Sequence, residues 1–261
     1  MELGEKFSRL LKQDPIIKDV SIYLLLTAFV LLCACTSGSE TNSIVIPPSR
    51  GNSTENGNNN NGNVVQGCIE RTPPTEVPVF DTGTTFPEWS SSEYVLPYAI
   101  GSTFFVNQGN NSGFGHSGFW KYGYDFTMNI GTEIFAARAG VVVHANDGTA
   151  DGNPNGTNLI TIQHSDGTVA LYSHLTNNGV LVQVGDSIKQ GSLIGLSGNT
   201  GNTGGLPHLH FSVHPCSGLP GLPNETNCPT SPVTFNNTEA NPSGLGTWQC
   251  YTALAFEKDR S

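Results

Sequence analysis

The chain has 261 residues, with 21 Asp and Glu against 11 Lys and Arg, a formal net charge of −10 and 31 glycines. Such a negative surplus excludes binding nucleic acid through a basic surface, and the length admits one sizeable domain with appendages. Sparse charge and abundant Gly and Asn favour a loop-rich β-protein over a helical one.

Residues 20–34, VSIYLLLTAFVLLCA, form an apolar run preceded by Lys6, Arg9, Lys12 and Lys18, which Glu2, Glu5, Asp14 and Asp19 balance. The run is short for a spanning helix, which needs about 20 residues, and suits the apolar region of an export signal. It ends Leu32-Cys33-Ala34-Cys35, which resembles a bacterial lipobox. That resemblance implies a signal peptide at 1–34 and lipidation of Cys35 as the mature N-terminus. An uncleaved membrane anchor is the alternative. Either reading places the remainder outside the cytoplasm, tethered to a membrane: periplasm or outer membrane in a Gram-negative cell, cell surface in a Gram-positive one. After residue 34 the chain keeps 17 acidic against 7 basic residues, so the whole net charge stays with it.

After Cys35, the stretch to residue 66 is rich in Ser, Thr, Asn and Gly, with NGNNNNGN at 56–63. It has too little apolar surface to fold and is expected to be a flexible tether spanning on the order of 30 Å. From residue 67 short apolar or alternating runs follow one another: YVLPYAI, TFFV, YDFTM, EIFAA, AGVVVHA, LITIQH, TVALYSHL, LVQV, SLIGL and LHFSVH. Turn signals such as Asp147-Gly148, Asp166-Gly167 and Gly185-Asp186 separate them. Many short strands at even spacing predict an antiparallel all-β domain. Lead-in strands are expected over 67–100, a core over 101–214, and an irregular Cys- and Pro-rich extension over 215–261. The polar loops 146–156 and 197–207 are long enough to wall a groove.

Four cysteines follow Cys35: Cys68, Cys216, Cys228 and Cys250. An even number in an oxidising compartment predicts disulfides. Three connectivities are possible; the preferred one closes Cys216–Cys228 within one loop and ties the domain ends through Cys68–Cys250. Zinc ligation by these thiolates is disfavoured because no C-x-x-C spacing occurs.

Chemistry-bearing residues gather in three segments. In GGLPHLHFSVH, 204–214, a strand would turn His208 and His210 to one face and Leu209 and Phe211 to the other, towards a core. Two imidazoles side by side are suited to ligating a metal, or to one ligating while the other works as acid or base. In ALYSHL, 170–175, the same alternation would put His174 on a face with Tyr172. In GHSGFWKYGYDF, 115–126, His116 and Asp125 lie nine positions apart, with Lys121 four before the carboxylate. His164 is expected in a hairpin, and His144 and His214 at solvent-facing strand ends. The Gly-rich 195–205 lacks the Gly-Lys-Ser/Thr ending of a phosphate-binding loop. The Asp-Thr-Gly of VFDTGTT, 79–85, has no second copy, which acid-protease chemistry needs.

The order His…Asp, then Tyr-x-His-Leu, then His-Leu-His-Phe resembles the LytM/lysostaphin-type zinc metallopeptidases that cut bacterial cell-wall peptides. GTEIFAARAGVVV at 131–143 and VGDSIKQGSLIGLSGNTG at 184–201 lie in register between these motifs, so the likeness spans about residues 94–214. It implies an antiparallel β-sheet or sandwich of the LytM (duplicated hybrid motif) type. It implies one Zn²⁺ held by Asp125 and His210, with His174 and His208 as non-ligating catalytic histidines whose tasks the sequence does not divide. The usual first ligand is a histidine four residues before the aspartate, where this chain has Lys121; His116, in His116-Ser117-Gly118, takes that role across five added residues. The implied activity is zinc-dependent hydrolysis of peptidoglycan stem or cross-bridge peptides. One rival is a silent domain of this type that binds or activates other cell-wall hydrolases. Another is a barrel-sandwich carrier, prompted by GDSIKQG, which leaves the two histidine motifs without a purpose.

Overall fold

In a computed structural model the described residues are 68, 83–113, 115–216 and 228–255. The expected signal peptide, Cys35 and the tether lie outside them. Ten strands carry the fold: β1 (Thr103–Gln108), β2 (Tyr124–Thr127), β3 (Glu133–Phe135), β4 (Gly140–Asn146), β5 (Asn158–Gln163), β6 (Val169–Val180), β7 (Ser187–Ile188), β8 (Leu193–Ser197), β9 (His208–His214) and β10 (Cys250–Thr252). They form one hydrogen-bonded sheet in the order β10-β1-β2-β9-β6-β5-β4-β7, with β8 paired to β3 and β6. Every strand pairing is antiparallel. Among the described residues the helical segments are two single 3-10 turns, Trp89–Ser91 and Gly118–Trp120. The all-β antiparallel expectation is borne out.

Strand alternation sets the core. Tyr124 and Phe126 on β2, Leu209 and Phe211 on β9, and Ala170 and Tyr172 on β6 are all fully buried in one apolar cluster. Full burial of a side chain such as Phe211 contributes about 1.5–3 kcal/mol. Buried phenols need partners: the Tyr124 hydroxyl donates to Val233 O and accepts from Asn110 Nδ2, and that of Tyr172 accepts from the Ala137 amide.

Three expectations need correction. No strand occurs between residues 83 and 102, so the lead-in strands are absent from the described part of 67–100. YVLPYAI is buried through Pro97 and Tyr98, yet its backbone bonds build no strand ladder: Val95 N donates to Ala137 O, Leu96 N to Asn237 Oδ1, and Pro97 O accepts from Phe135 N on β3. LVQV, 181–184, likewise follows β6 without forming a strand. The C-terminal extension is not wholly irregular, because β10 pairs with β1 at the sheet edge.

Both preferred disulfides form, Cys68–Cys250 and Cys216–Cys228, with Cα atoms 6.1 and 5.9 Å apart. Such spacing is ordinary for a bridge.

Candidate metal centre

A single row of paired residues crosses four strands at the site. Gln108 on β1 stands opposite Asp125 on β2, Asp125 opposite His210 on β9, and His210 opposite Ser173 on β6. Tyr124, Phe126, Leu209 and Phe211 fill the core, so the alternation that buries them turns Asp125, His208 and His210 to the other face. His116 arrives from the segment joining β1 to β2, beside the 3-10 turn Gly118–Trp120.

Three donor atoms converge there. His116 Nε2 lies 3.1 Å from Asp125 Oδ1 and 3.2 Å from His210 Nδ1, and His210 Nδ1 lies 2.8 Å from the same carboxylate oxygen. All three residues are buried. His116 Nδ1 donates to Gly109 O at 3.1 Å, which leaves Nε2 unprotonated in the neutral ring. Two lone pairs, on Nε2 and Oδ1, therefore face each other and need a proton or a cation between them. Tetrahedral zinc with Zn–N near 2.0–2.1 Å sets its ligands about 3.3 Å apart, and the observed triangle is only slightly tighter. The donor set fits zinc, and the Gly109 carbonyl is the kind of outer partner that orients a ligating imidazole.

The other two histidines stand beside this triangle. His208 Nε2 is 3.7 Å from Asp125 Oδ2, and the His208 and His174 rings meet edge to face at 4.7 Å. Each donates Nδ1–H to a backbone carbonyl, His208 to Leu206 and His174 to Thr200, at 2.7 and 2.6 Å. Loops 146–156 and 197–207 hold Thr200 in place by interlocking: Gly152 N donates to Asn199 O and Gly201 N to Asn153 O. The walls expected from their length are thus the support of His174.

Charge follows burial and contact. Burial opposes ionisation of Asp125, but the adjacent His116 and His210 imidazoles outweigh it and hold the carboxyl well below its usual range. Burial depresses His210 and, helped by the neighbouring His208 and His210 rings, brings His174 down to about 3. At neutral pH that imidazole is uncharged.

Two expectations about strand faces fail. His174 has φ of 66°, a left-handed conformation, and sits where the β5–β6 register slips between Leu159↔Ser173 and Asn158↔Leu175. The bulge rotates His174 to the site while Tyr172 enters the core, so the two do not share a face. His214 is fully buried, not solvent-facing, donating Nδ1–H to Cys228 O and touching Ser212 Oγ through Nε2. His144 is half-buried within β4. His164 does close the β5–β6 hairpin, exchanging backbone bonds with Thr168 and Gly167.

Sequence reasoning missed Gln108, whose Nε2 donates to Asp125 Oδ2 at 3.0 Å and orients the carboxylate. It also missed Gly123. A Cβ there would lie 2.7 Å from His210 Cε1 and 3.2 Å from His116 Cε1. The signal was available as the small residue in Tyr122-Gly123-Tyr124, but only the folded loop reveals its purpose. Gly123→Ala is expected to displace both imidazoles and weaken zinc binding about 10-fold, within the range seen when a ligand's support is disturbed. Chelator competition checks this, and unchanged affinity would remove Gly123 from the site.

Residues 120–221 match the sequence model of peptidase family M23. The match contains Asp125, His174, His208 and His210 and begins four residues after His116. Peptidoglycan DD-endopeptidase ShyA of Vibrio cholerae serotype O1 is 40% identical over 91 residues, covering 35% of this chain and 19% of that protein. Lysostaphin of Staphylococcus simulans is 42% identical over 98 residues, 37% of this chain and 18% of that one. The solved structure of lysostaphin from the same organism aligns with TM-score 0.39 and 28% identity, over 54% of this chain and 51% of that chain. This chain spans about a fifth of the length of these two relatives by sequence. With the His/Asp/His cluster lying in and beside it, the matched segment has both the sequence and the donor set of a peptidase family M23 domain.

Proposed function

We propose that the protein is a zinc metalloendopeptidase that hydrolyses peptide bonds in the stem or cross-bridge peptides of bacterial peptidoglycan. The observation that carries this reading is the convergence of His116 Nε2, Asp125 Oδ1 and His210 Nδ1 with two further imidazoles alongside. His116, Asp125 and His210 hold the metal, which when bound supplies Lewis acidity, activating water and polarising a carbonyl. His174 and His208 keep Nδ1–H tied to carbonyls and so offer Nε2 to the reaction. Between them they accept the proton of the attacking water, stabilise the developing oxyanion and return a proton to the leaving amine as the C–N bond breaks. Gln108 and the Asp125 carboxylate set the orientation of the ligand face. The apolar run at 20–34 and the lipobox-like ending support export, with lipidation at Cys35 tethering the domain near its substrate.

Digestion of purified sacculi tests this reading. Zinc-loaded protein is expected to release peptides with one new amine and one new carboxyl terminus per cut, identified by mass spectrometry. Fully loaded protein that releases nothing from any wall type would replace the enzyme with the rival, a domain that binds or activates other hydrolases.

A further inference from the structure

The three residues of the metal triangle are not fixed equally. Asp125 and His210 sit opposite each other on paired strands, whereas His116 belongs to a segment outside the sheet ladder. Its position depends on what holds residues 116–123. Thr230, from the segment after β9, is bonded to that stretch at three points. Its amide and its hydroxyl both donate to Phe119 O, at 2.8 and 3.0 Å, and its Oγ1 accepts from the Tyr122 amide at 2.9 Å. Thr230 is buried, and its neighbour Ser231 is tied back to the sheet by an amide bond to Val213 O at 2.7 Å.

The same segment is anchored two residues earlier. Cys228 is bridged to Cys216, two residues beyond the end of β9, and its carbonyl accepts from His214 Nδ1 at 2.9 Å. The His214 ring contacts Phe119 and Trp120, and Trp120 in turn lies edge-on to His210 at 5.4 Å. A buried histidine, a disulfide and a threonine, none of them used in the proposed chemistry, thus converge on the loop that presents His116.

We propose that Thr230 is a positioning residue for the metal centre: held in register by the Cys216–Cys228 bridge, it sets the loop that carries His116 and thereby the zinc affinity. This rests on the zinc reading of the site given above. A threonine hydroxyl suits the task because it donates and accepts at once, joining Phe119 O to the Tyr122 amide across one turn. The bridge supplies the fixed point from which Thr230 acts, so its reduction loosens His116 without touching any ligand.

Zinc titration against a competing chelator, with hydrogen exchange at the Tyr122 amide, tests the proposal on the purified protein. Thr230→Val is expected to weaken zinc binding about 10-fold and to accelerate Tyr122 exchange, in the range for an outer partner of a ligand. Thr230→Ser keeps the hydroxyl and is expected to stay within about 2-fold of the parent. The double variant Cys216→Ser, Cys228→Ser is expected to lose at least as much affinity as Thr230→Val. Parent-like zinc affinity in Thr230→Val overturns the proposal, as does a Thr230→Ser variant equally weakened. Parent protein that binds no zinc removes the metal reading instead. The Tyr122 amide then decides the clamp alone, faster exchange confined to Thr230→Val supporting it and unchanged exchange overturning it.

Discussion

Asp125→Ala and His210→Ala are each expected to abolish stoichiometric zinc binding, lowering affinity by well over the ~100-fold that disturbing an outer partner costs. Each deletes one corner of a triangle whose edges are 2.8–3.2 Å, and two remaining donors do not define a tetrahedral site. Asp125 carries the larger share, because it is the only anion among the three and supplies the charge that offsets the cation. Its loss also leaves His116 and His210, both buried, without the carboxylate they contact. Metal analysis of the purified variants checks the outcome. One zinc per chain retained in both would overturn the ligand assignment.

His208→Ala is expected to behave in the opposite way, keeping full zinc while losing cleavage of sacculi by about 10²–10⁴-fold, the usual contribution of a general acid or base. His208 Nε2 stays 3.7 Å from Asp125 Oδ2 and is not one of the three converging atoms. The comparison with His210→Ala is the informative one, since the two residues share a strand face two positions apart. If His208→Ala loses zinc as His210→Ala does, the division between ligand and proton carrier is wrong. If it cleaves within about tenfold of the parent, the acid–base role is wrong.

Legibility of the site tracked how local each placement is. The His208/His210 alternation was readable because strand period alone fixes it, and Leu209 and Phe211 confirm the phase by filling the core. His174 was legible as a residue but not as a direction. A single left-handed residue in a strand leaves no mark in the sequence when it is a histidine, and it reversed the expected pairing with Tyr172. Gln108 was invisible for a different reason: it meets Asp125 only because the β1–β2 register shifts between Val106 and Gln108. YVLPYAI carried the apolar content of a strand, yet scattered partners, among them Ala137 O and Asn237 Oδ1, took its backbone groups in place of a ladder. His214 looked like a strand end because its cover comes from the segment after β9, where Cys228 O accepts from its Nδ1.

The Cys68–Cys250 bridge joins residues 182 positions apart and closes a ring around nearly all of the described fold. Its mechanical consequence is that tension applied between the chain's two ends passes through one covalent bond to β10 at the sheet edge and bypasses the inner strands, the metal triangle and both walls. In a single-molecule pull the oxidised domain would give no extension from within the ring. Reduction would release roughly 600 Å of hidden length at ~3.3–3.6 Å per residue. A domain closed in this way can be loaded through its ends without distorting the site it carries.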